Sequence, residues 1–441
     1  MPVRRRLLAA SVISAAALGA QTLSGAAATA SDEVVSRGVT IPAFYNPPAT
    51  LPAADGALVR TEPLKLALSL PGLNGPLPGR ATRLMYKSTD DSGRPVAVTG
   101  AYIEPSAAWK GGGPRPLVAL APGTMGQGDQ CSASRGLEHP LTLSGETVSV
   151  GYEDLAIYRL LATGAAVVVT DYAGLGATDR LHTYVNRVDE AHALLDAARA
   201  ARAVPGASVT AASRVGLFGY SQGGGASAAA AELQPSYAPD VNLAGAYAGA
   251  PPADLTEVTR AIDGSELAGA LGWSLNGFVQ SEPALRPIAD AHLNATGKAA
   301  LADLSTMCVG DALLKYAGAD STDWTKDGRS VSEIIAATPA LTSFLNSQRI
   351  GTMKPAAPVR IATGTSDDLV PHKQARKLAV DWCTKGVNVT YEAEIQINSG
   401  SPLINHMTPL LTDQGEAVDW ITDRLKGRTA HSNCWSMPLQ P

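Results

Sequence analysis

The chain lacks the features that would point to a membrane span or a nucleic-acid partner. After residue 30 it contains no run of eighteen apolar residues, which is about the length that a helix needs to cross a bilayer. The same part of the chain has no cluster of basic residues. The chain's formal net charge of −5 becomes −8 without residues 1–30, which carry three arginines and no acidic residue. We therefore expect neither a transmembrane segment nor binding to nucleic acid.

The first thirty residues have the pattern of a secretory signal peptide. Arg4, Arg5 and Arg6 form a positive segment, residues 7–19 are apolar and mostly small, and Ala28-Thr29-Ala30 supplies a cleavage pattern. Export from the cell and an extracellular location are therefore expected.

Cysteine is scarce, and no two cysteines form a Cys-x-x-Cys pair. The four are Cys131, Cys308, Cys383 and Cys434. Because the paired spacing typical of zinc sites is missing, we expect no metal, and nothing else in the sequence predicts a cofactor. An even number of cysteines in an exported protein favours disulfides. Three pairings are possible, and the residues alone do not choose among them.

The order of predicted elements indicates an α/β protein. Apolar residues make up 45% of the 441 residues and charged residues 17%, which is typical of a well-packed globular chain. Strand-like segments alternate with helix-like ones; the strands are predicted at residues 82–86, 96–103, 117–121, 166–171, 214–218 and 243–248, and the helices at 153–161 and 185–203. This alternation predicts a mostly parallel central sheet with helices on both faces. Residues 34–79, rich in proline and glycine, predict an extended N-terminal arm.

The most informative motif is Gly-x-Ser-x-Gly at residues 219–223. A strand-like segment precedes it and the alanine-rich residues 226–233, which favour a helix, follow it. At such a strand-to-helix turn the serine hydroxyl is exposed, and glycines on both sides let the turn close. The motif predicts Ser221 as a nucleophile; the alternative is an ordinary glycine-rich turn.

Two residues that follow Ser221 complete a catalytic pattern. A strand-like segment beginning at Val359 leads into a turn that carries Asp367, and His406 precedes a helix that Thr408 is expected to cap. Serine, acid, histidine is the chain order of α/β-hydrolases, unlike the orders in chymotrypsin and subtilisin. The other six histidines lie upstream of the serine, outside the predicted sheet, beside the acid or in the tail. We therefore predict Ser221 as nucleophile, His406 as base and Asp367 as the acid that orients it.

Residues 252–355 interrupt the alternation with helical segments, which are predicted near residues 255–262, 265–271, 285–292, 298–305 and 331–345. An insertion between the serine and the acid is expected to form a cap or lid over the site. The predicted division is a signal peptide (1–30), a first part of the core (31–251), the cap (252–355) and a second part of the core (356–441). Four apolar residues of the cap are candidates for the surface that meets an acyl chain, or alternatively for the core of the cap itself: Trp273, Leu275, Phe278 and Val279.

An oxyanion hole is predicted from two backbone N–H groups. One belongs to Gln222, the residue after the nucleophile, and the other is expected in the glycine-rich loop 123–126 after the strand 117–121. We favour Thr124 as this second donor; the alternative is that the loop is only a turn. A phosphate-binding loop is disfavoured because no Lys-Ser or Lys-Thr follows.

Taken together, the chain resembles the secretory lipase family of α/β-hydrolases, whose actinobacterial members are similar to the yeast lipase A type. The resemblance is carried by residues 219–224, 367–371, 406–408 and 122–131. It implies that the acid is the first residue of a D-x-x-V-P pattern, which selects Asp367 over Asp368. It also implies the disulfides Cys131–Cys308 and Cys383–Cys434. The oxyanion loop differs from the yeast type, so Asp129 stays open as an alternative to Thr124.

The predicted function is that of a secreted, monomeric serine ester hydrolase, a triacylglycerol lipase or carboxylesterase that forms an acyl-enzyme. Its substrate is expected to be an ester with a hydrophobic acyl part, and the cap is expected to contact lipid transiently. A secreted serine aminopeptidase is one alternative, for which a carboxylate cluster such as Asp263, Glu266 and Asp303 would hold the substrate's amino group. An acyltransferase and a catalytically silent binding protein are the others.

Overall fold

The computed structural model describes residues 34–72 and 76–441, so the predicted signal peptide lies outside the described residues. In this part of the chain the strands are β1 (Val34–Ser36), β2 (Val39–Ile41), β3 (Leu58–Leu64), β4 (Gly79–Thr89), β5 (Pro95–Pro105), β6 (Leu117–Ala121), β7 (Leu141–Ser144), β8 (Thr147–Val150), β9 (Ala166–Ala173), β10 (Val215–Tyr220), β11 (Leu243–Gly249), β12 (Val359–Gly364) and β13 (Val389–Glu394).

The helices come between and after these strands. They are α1 (Ala133–Gly136), α2 (Asp154–Ala162), α3 (Arg187–Ala201), α4 (Gln222–Tyr237), α5 (Leu255–Ile262), α6 (Gly269–Ser281), α7 (Arg286–His292), α8 (Ala295–Leu304), α9 (Val309–Tyr316), α10 (Val331–Ala337), α11 (Pro339–Ser347), α12 (His372–Thr384), α13 (Pro402–Thr412) and α14 (Gln414–Leu425).

One large sheet carries the fold, with the strand order β13-β12-β11-β10-β6-β9-β5-β4-β3 among the described residues. The strands from β13 to β9 are parallel, and β5, β4 and β3 extend the sheet antiparallel. All residues of β6, β9, β10 and β12 are buried, as expected for parallel strands covered on both faces. Helices α3, α4 and α12 pack on one face and α2 and α14 on the other. The predicted parallel sheet flanked by helices is confirmed.

The predicted N-terminal arm is wrong in part. Strand β3 lies within it and forms the edge of the large sheet by pairing with β4. Its residues are mostly half-buried, because an edge strand has a neighbour on one side only. This leaves a weak hydrophobic pattern, which explains why the proline- and glycine-rich composition dominated the prediction.

Helices α5–α11 lie between β11 and β12, the position predicted for the cap. They share a hydrophobic cluster of their own that includes Leu271, Trp273 and Leu304. The segment 331–345, predicted as one helix, is two helices because Pro339 lies in the first turn of α11. A proline lacks the N–H that would continue the preceding helix. That residues 252–355 constitute a separate domain stays a prediction.

Two disulfides connect distant segments, in the pairing that the resemblance implied. Cys131 is bonded to Cys308, which joins the loop after β6 to the start of α9. Cys383 is bonded to Cys434, which joins the end of α12 to the C-terminal segment. The first disulfide therefore ties the predicted oxyanion loop to the cap helices.

Candidate active site

Ser221 lies at the sharp turn between β10 and α4, with φ 57° and ψ −124°. A positive φ is uncommon for a residue other than glycine, and strain of this kind is concentrated at functional sites. The flanking glycines are required sterically. A Cβ at Gly219 would overlap the carbonyl of Gly223, and a Cβ at Gly223 would overlap the carbonyl of Ala121. The turn therefore presents the serine in the geometry of a nucleophile elbow.

A chain of hydrogen bonds joins the three predicted catalytic residues. His406 Nε2 lies 2.8 Å from Ser221 Oγ, and His406 Nδ1 lies 2.7 Å from Asp367 Oδ2. The other oxygen of Asp367 accepts hydrogen bonds from the backbone N–H groups of Leu369 and Val370. Asp367 and His406 are buried, whereas the neighbouring Asp368 is exposed. The structure thus brings together the predicted serine, histidine and first aspartate.

The local structure around His406 differs from the prediction. The histidine lies inside α13, which begins seven residues earlier than expected, because Ser401 accepts a hydrogen bond from the N–H of Ile404 and acts as the N-cap. Pro409 therefore falls within the helix and leaves the carbonyl of Asn405 without its helical N–H partner. The side-chain amide of Gln396 donates to that carbonyl at 3.1 Å. Thr408 is not a cap, and that prediction is wrong.

The backbone of His406 is also hydrogen-bonded to the last residue of strand β10, Tyr220. The Tyr220 hydroxyl donates to the His406 carbonyl at 2.7 Å, and the two rings lie 5.4 Å apart. The residue before Ser221 therefore fixes the backbone of the histidine, in addition to the side-chain contact made by Ser221.

The two predicted oxyanion donors lie on neighbouring segments. Gln222 is the first residue of α4, where backbone N–H groups have no partner within the helix. Thr124 is buried, and its hydroxyl lies 2.7 Å from the hydroxyl of Tyr184. Asp129, the alternative, is half-buried in the turn that contains Cys131, and burial raises the pKa of its carboxyl to about 7.

A buried polar cluster beneath Gln222 was missed by the sequence analysis. The Gln222 side-chain amide donates to Glu190 Oε1 at 2.7 Å and lies 3.1 Å from His182 Nε2. Burial raises the pKa of Glu190 to about 8 and lowers the pKa of His182 to about 4. His182 Nδ1 lies 3.0 Å from the carbonyl of Ala173. A neutral imidazole donates to this carbonyl through Nδ1 and accepts the Gln222 amide at Nε2.

Glu190 also accepts a hydrogen bond from the backbone N–H of Val185 at 2.9 Å. Val185 has φ 57°, a strained value for a β-branched residue, and its side chain lines the cavity beside Ser221. The same carboxyl therefore contacts both Val185, which lines the cavity, and Gln222, the residue after Ser221. No sequence pattern distinguishes Glu190 from the other charged residues of α3, so only the folded structure reveals it.

A narrow cavity of about 30 Å³ lies between Ser221 and helices α5 and α6. A second cavity of about 50 Å³, almost entirely apolar, lies within the cap helices. Phe278 lines both cavities, so its ring separates them. Leu275 and Val279 line the second cavity alone, and Trp273 is fully buried in the cap cluster. Of the four cap residues singled out in the sequence, Phe278 is the one that reaches the cavity at Ser221.

Residues 34–72 and 76–441 contain neither a metal-binding cluster of side chains nor a helix suited to spanning a membrane. Within these ranges no three or more His, Cys, Asp or Glu side chains are arranged to hold a metal ion. Among the helices described there, none is both long enough and apolar enough to cross a membrane.

Comparisons with known proteins agree on family and fold. Residues 137–433 match the family described as secretory lipase. A probable inactive lipase of Mycobacterium tuberculosis is 31% identical, over 87% of this chain and 82% of the relative. Lipase 10 of Candida albicans is 28% identical, over 89% of this chain and 82% of the relative.

Solved structures show the same architecture at low identity. Candida antarctica lipase A in its closed state has a TM-score of 0.72 and 20% identity, covering 88% of this chain and 86% of its own. The rice cell wall degrading esterase LipA from Xanthomonas oryzae has a TM-score of 0.68 and 20% identity, covering 86% of this chain and all of its own. The predicted α/β-hydrolase fold is thereby confirmed.

Proposed function

The chain belongs to the secretory lipase family, and on this basis we propose that it is a secreted serine ester hydrolase acting through Ser221, His406 and Asp367. The hydrogen bonds that join these three side chains in sequence are the observation that carries the proposal. Membership of this family supports lipase or esterase activity.

The reaction is acyl transfer to water. His406 accepts the proton of Ser221 as the serine oxygen attacks the ester carbonyl, and Asp367 holds the imidazole in the required tautomer. The N–H groups of Gln222 and Thr124 stabilise the negative oxygen of the tetrahedral intermediate. The alcohol leaves with the proton from His406, and a water molecule activated by the same histidine hydrolyses the acyl-enzyme.

One relative is named as probably inactive, so the activity of this chain has to be argued from its own residues. The serine lies in a strained turn, the histidine is within hydrogen-bonding distance of it, and the acid is buried with two backbone N–H donors. A protein that had lost catalysis would have no need to retain all three features. Together they support an active enzyme.

The acyl part of the substrate is proposed to enter the cavity beneath the cap. A cavity of about 30 Å³ has room for about two water molecules, so a long acyl chain fits only after Phe278 or its helix α6 shifts. The apolar cavity beyond Phe278 would then become continuous with the site. Short esters require no such rearrangement, which predicts that they are hydrolysed in the conformation described here.

Contact with a lipid surface is proposed to involve the segment around α13 as well as the cap. Four large apolar side chains are exposed in or near α13. Among the described residues of the cap, one large apolar side chain is comparably exposed, that of Leu314. The four are Ile395 (85%), Ile397 (96%), Ile404 (56%) and Leu411 (59%). Because α13 also carries His406, apolar contact there would bring the catalytic site to the lipid.

The aminopeptidase alternative loses its support in the structure. Asp263 accepts hydrogen bonds from the backbone and side chain of Ser321, and Glu266 accepts one from Ser401. Asp303 is paired with Arg37 and Lys315. None of these three carboxylates lines the cavity beside Ser221. They do not form a cluster that could hold a substrate's amino group at the site.

The test is hydrolysis of p-nitrophenyl esters from acetate to palmitate and of an emulsified triglyceride, with Ser221→Ala alongside. We expect a loss of kcat on the order of 10⁶-fold in the variant. A fluorophosphonate should label the wild-type protein and not the variant. Turnover that survives in Ser221→Ala would contradict the proposal, and the acyl-length profile separates a lipase from a short-chain esterase.

A further inference from the structure

The loop that carries the proposed oxyanion donor Thr124 is held by side chains at consecutive residues. The Tyr172 hydroxyl donates to the carbonyl of Pro122 at 2.7 Å, and the N–H of Gly123 donates to a carboxyl oxygen of Glu153 at 2.6 Å. The Tyr152 hydroxyl donates to the carbonyl of Thr124 at 2.9 Å. Two of these three contacts come from tyrosines, and one comes from an acid.

This loop touches the nucleophile turn directly. A Cβ placed on Gly123 would lie 3.3 Å from the carbonyl oxygen of Tyr220, the residue before the nucleophile, and 3.3 Å from the carboxyl of Glu153. On the other side of the turn the approach is closer still, since a Cβ placed on Gly223 would overlap the carbonyl oxygen of Ala121. A small displacement of the loop would therefore change the position of Thr124 relative to Ser221.

Glu153 does not serve the helix that it precedes. It occupies the N-cap position of α2, yet its side chain makes no capping hydrogen bond there. Its carboxyl is turned inward, the residue is only 6% exposed, and the N–H of Gly123 is its hydrogen-bond donor. Burying an acid is costly, so a position in which it receives one short backbone hydrogen bond calls for a reason other than helix capping.

The hydrogen bond between Gly123 and Glu153 also determines which N–H of the loop is available to the substrate. Because the N–H of Gly123 is engaged by Glu153, it is not free to bind an oxyanion. Among the described residues, the N–H of Thr124 has no backbone or side-chain acceptor. The pairing of Glu153 with Gly123 therefore leaves Thr124 as the first free N–H donor after β6 among the described residues.

We propose that Glu153 is a positioning residue of the oxyanion hole, which acts by holding Gly123 so that the next N–H, that of Thr124, faces the reacting carbonyl. This inference rests on the proposed function, because it presupposes attack by Ser221. Glu153 does not touch the substrate; its effect is on the geometry of a donor that becomes fully engaged only in the transition state.

Glu153→Met removes the acceptor at similar length, Glu153→Gln keeps an acceptor oxygen, and Glu153→Asp keeps the acid but shortens its reach. The matched control is Asp154→Leu, which alters the adjacent buried carboxyl; Asp154 Oδ2 has no hydrogen-bond partner among the described residues. The assays are kcat and KM for p-nitrophenyl butyrate, and inhibition by an alkyl trifluoromethyl ketone, which forms a tetrahedral adduct with an active serine.

The positioning role predicts that Glu153→Met and Glu153→Asp lower kcat about 10- to 100-fold with KM within about twofold, since misplacement of a catalytic group by 1 Å can cost about 10²-fold. Affinity for the ketone should fall in parallel, while Glu153→Gln and Asp154→Leu stay within about threefold of the wild type. If Glu153→Met does not fold, the comparison of Glu153→Asp with Glu153→Gln carries the same test.

Wild-type kcat in Glu153→Asp or Glu153→Met would overturn the inference, as would equal losses in Glu153→Gln. These outcomes are distinct from failure of the proposed function. If the proposed function were wrong, Ser221→Ala would keep its activity and the ketone would not inhibit the wild-type protein, regardless of the effect of the Glu153 variants.

Discussion

The buried carboxyl of Glu190 makes a quantitative prediction for the pH dependence of stability. Burial raises its pKa from 4.5 to about 8 in the folded protein. Between these two values the folded state keeps the proton and the unfolded state does not. The free energy of unfolding should therefore fall as the pH rises through this window, and the stabilising contribution is fully present only below pH 4.5.

The size of the effect follows from the shift. Each pH unit within the window changes the free energy of unfolding by about 1.4 kcal/mol for one fully buried group. From pH 5 to pH 8 the change is therefore about 3 to 4 kcal/mol. Glu190→Gln removes the ionisable group and leaves an oxygen that can still accept from Val185 and Gln222. Its stability relative to the wild type should increase by this amount over the same interval.

The assay is urea unfolding of both proteins at pH 5, 6, 7 and 8, with the disulfides intact. The difference between wild type and variant isolates Glu190, because the other titrating groups are present in both. The exposed Glu392, changed to Gln, is the control, and its difference from the wild type should be nearly independent of pH. If Glu190→Gln and the wild type have parallel pH dependences, Glu190 does not bind a proton on folding and the reasoning fails.

Three further predictions concern activity. Phe278→Ala should join the two cavities and raise kcat/KM for octanoate esters relative to butyrate esters about tenfold. Ile288 lines the cap cavity alone, so Ile288→Ala should leave the rate of butyrate hydrolysis unchanged. An unaltered acyl-length profile in Phe278→Ala would contradict a separating role of Phe278. Asp367→Asn should lower kcat about 10⁴-fold, and Asp368→Asn should not; equal effects of the two would reject the assignment of the acid. Ile397→Asp should slow hydrolysis of emulsified triglyceride while leaving soluble esters unaffected, and a matching loss on both substrates would show that the residue has no specific role at a lipid surface.

The sequence predicted those parts of the fold in which local pattern and tertiary structure agree. Strand β6 begins and ends at the predicted residues, and so does helix α5. In both elements, the apolar residues that have to be buried are spaced with the residue period of the strand or helix itself. The chain order of Ser221, Asp367 and His406 was informative for a different reason, since loops at the carboxyl ends of parallel strands meet at one edge of the sheet.

The prediction around His406 failed where two local signals competed. Thr408-Pro409 is a plausible helix start, and so is Ser401-Pro402, which lies seven residues earlier in the chain. The second is used because the carbonyl left open by Pro409 finds a donor in Gln396, which lies on another segment. A proline inside a helix is costly only when the freed carbonyl stays unsatisfied. That compensation depends on a contact between distant residues, so no local pattern contains it.

The two buried acids, Glu153 and Glu190, were invisible for the same reason, and their positions have a common consequence. Each contacts one side of the proposed oxyanion hole, and burial raises the pKa of Glu153 to about 7 and that of Glu190 to about 8. Below these values both are neutral and place no negative charge beside the developing oxyanion. As the pH rises above them, ionisation would oppose the oxyanion and also weaken the folded state. Alkaline loss of activity and of stability should therefore have a shared origin in this protein, and replacing both acids with glutamine should shift both limits to higher pH together.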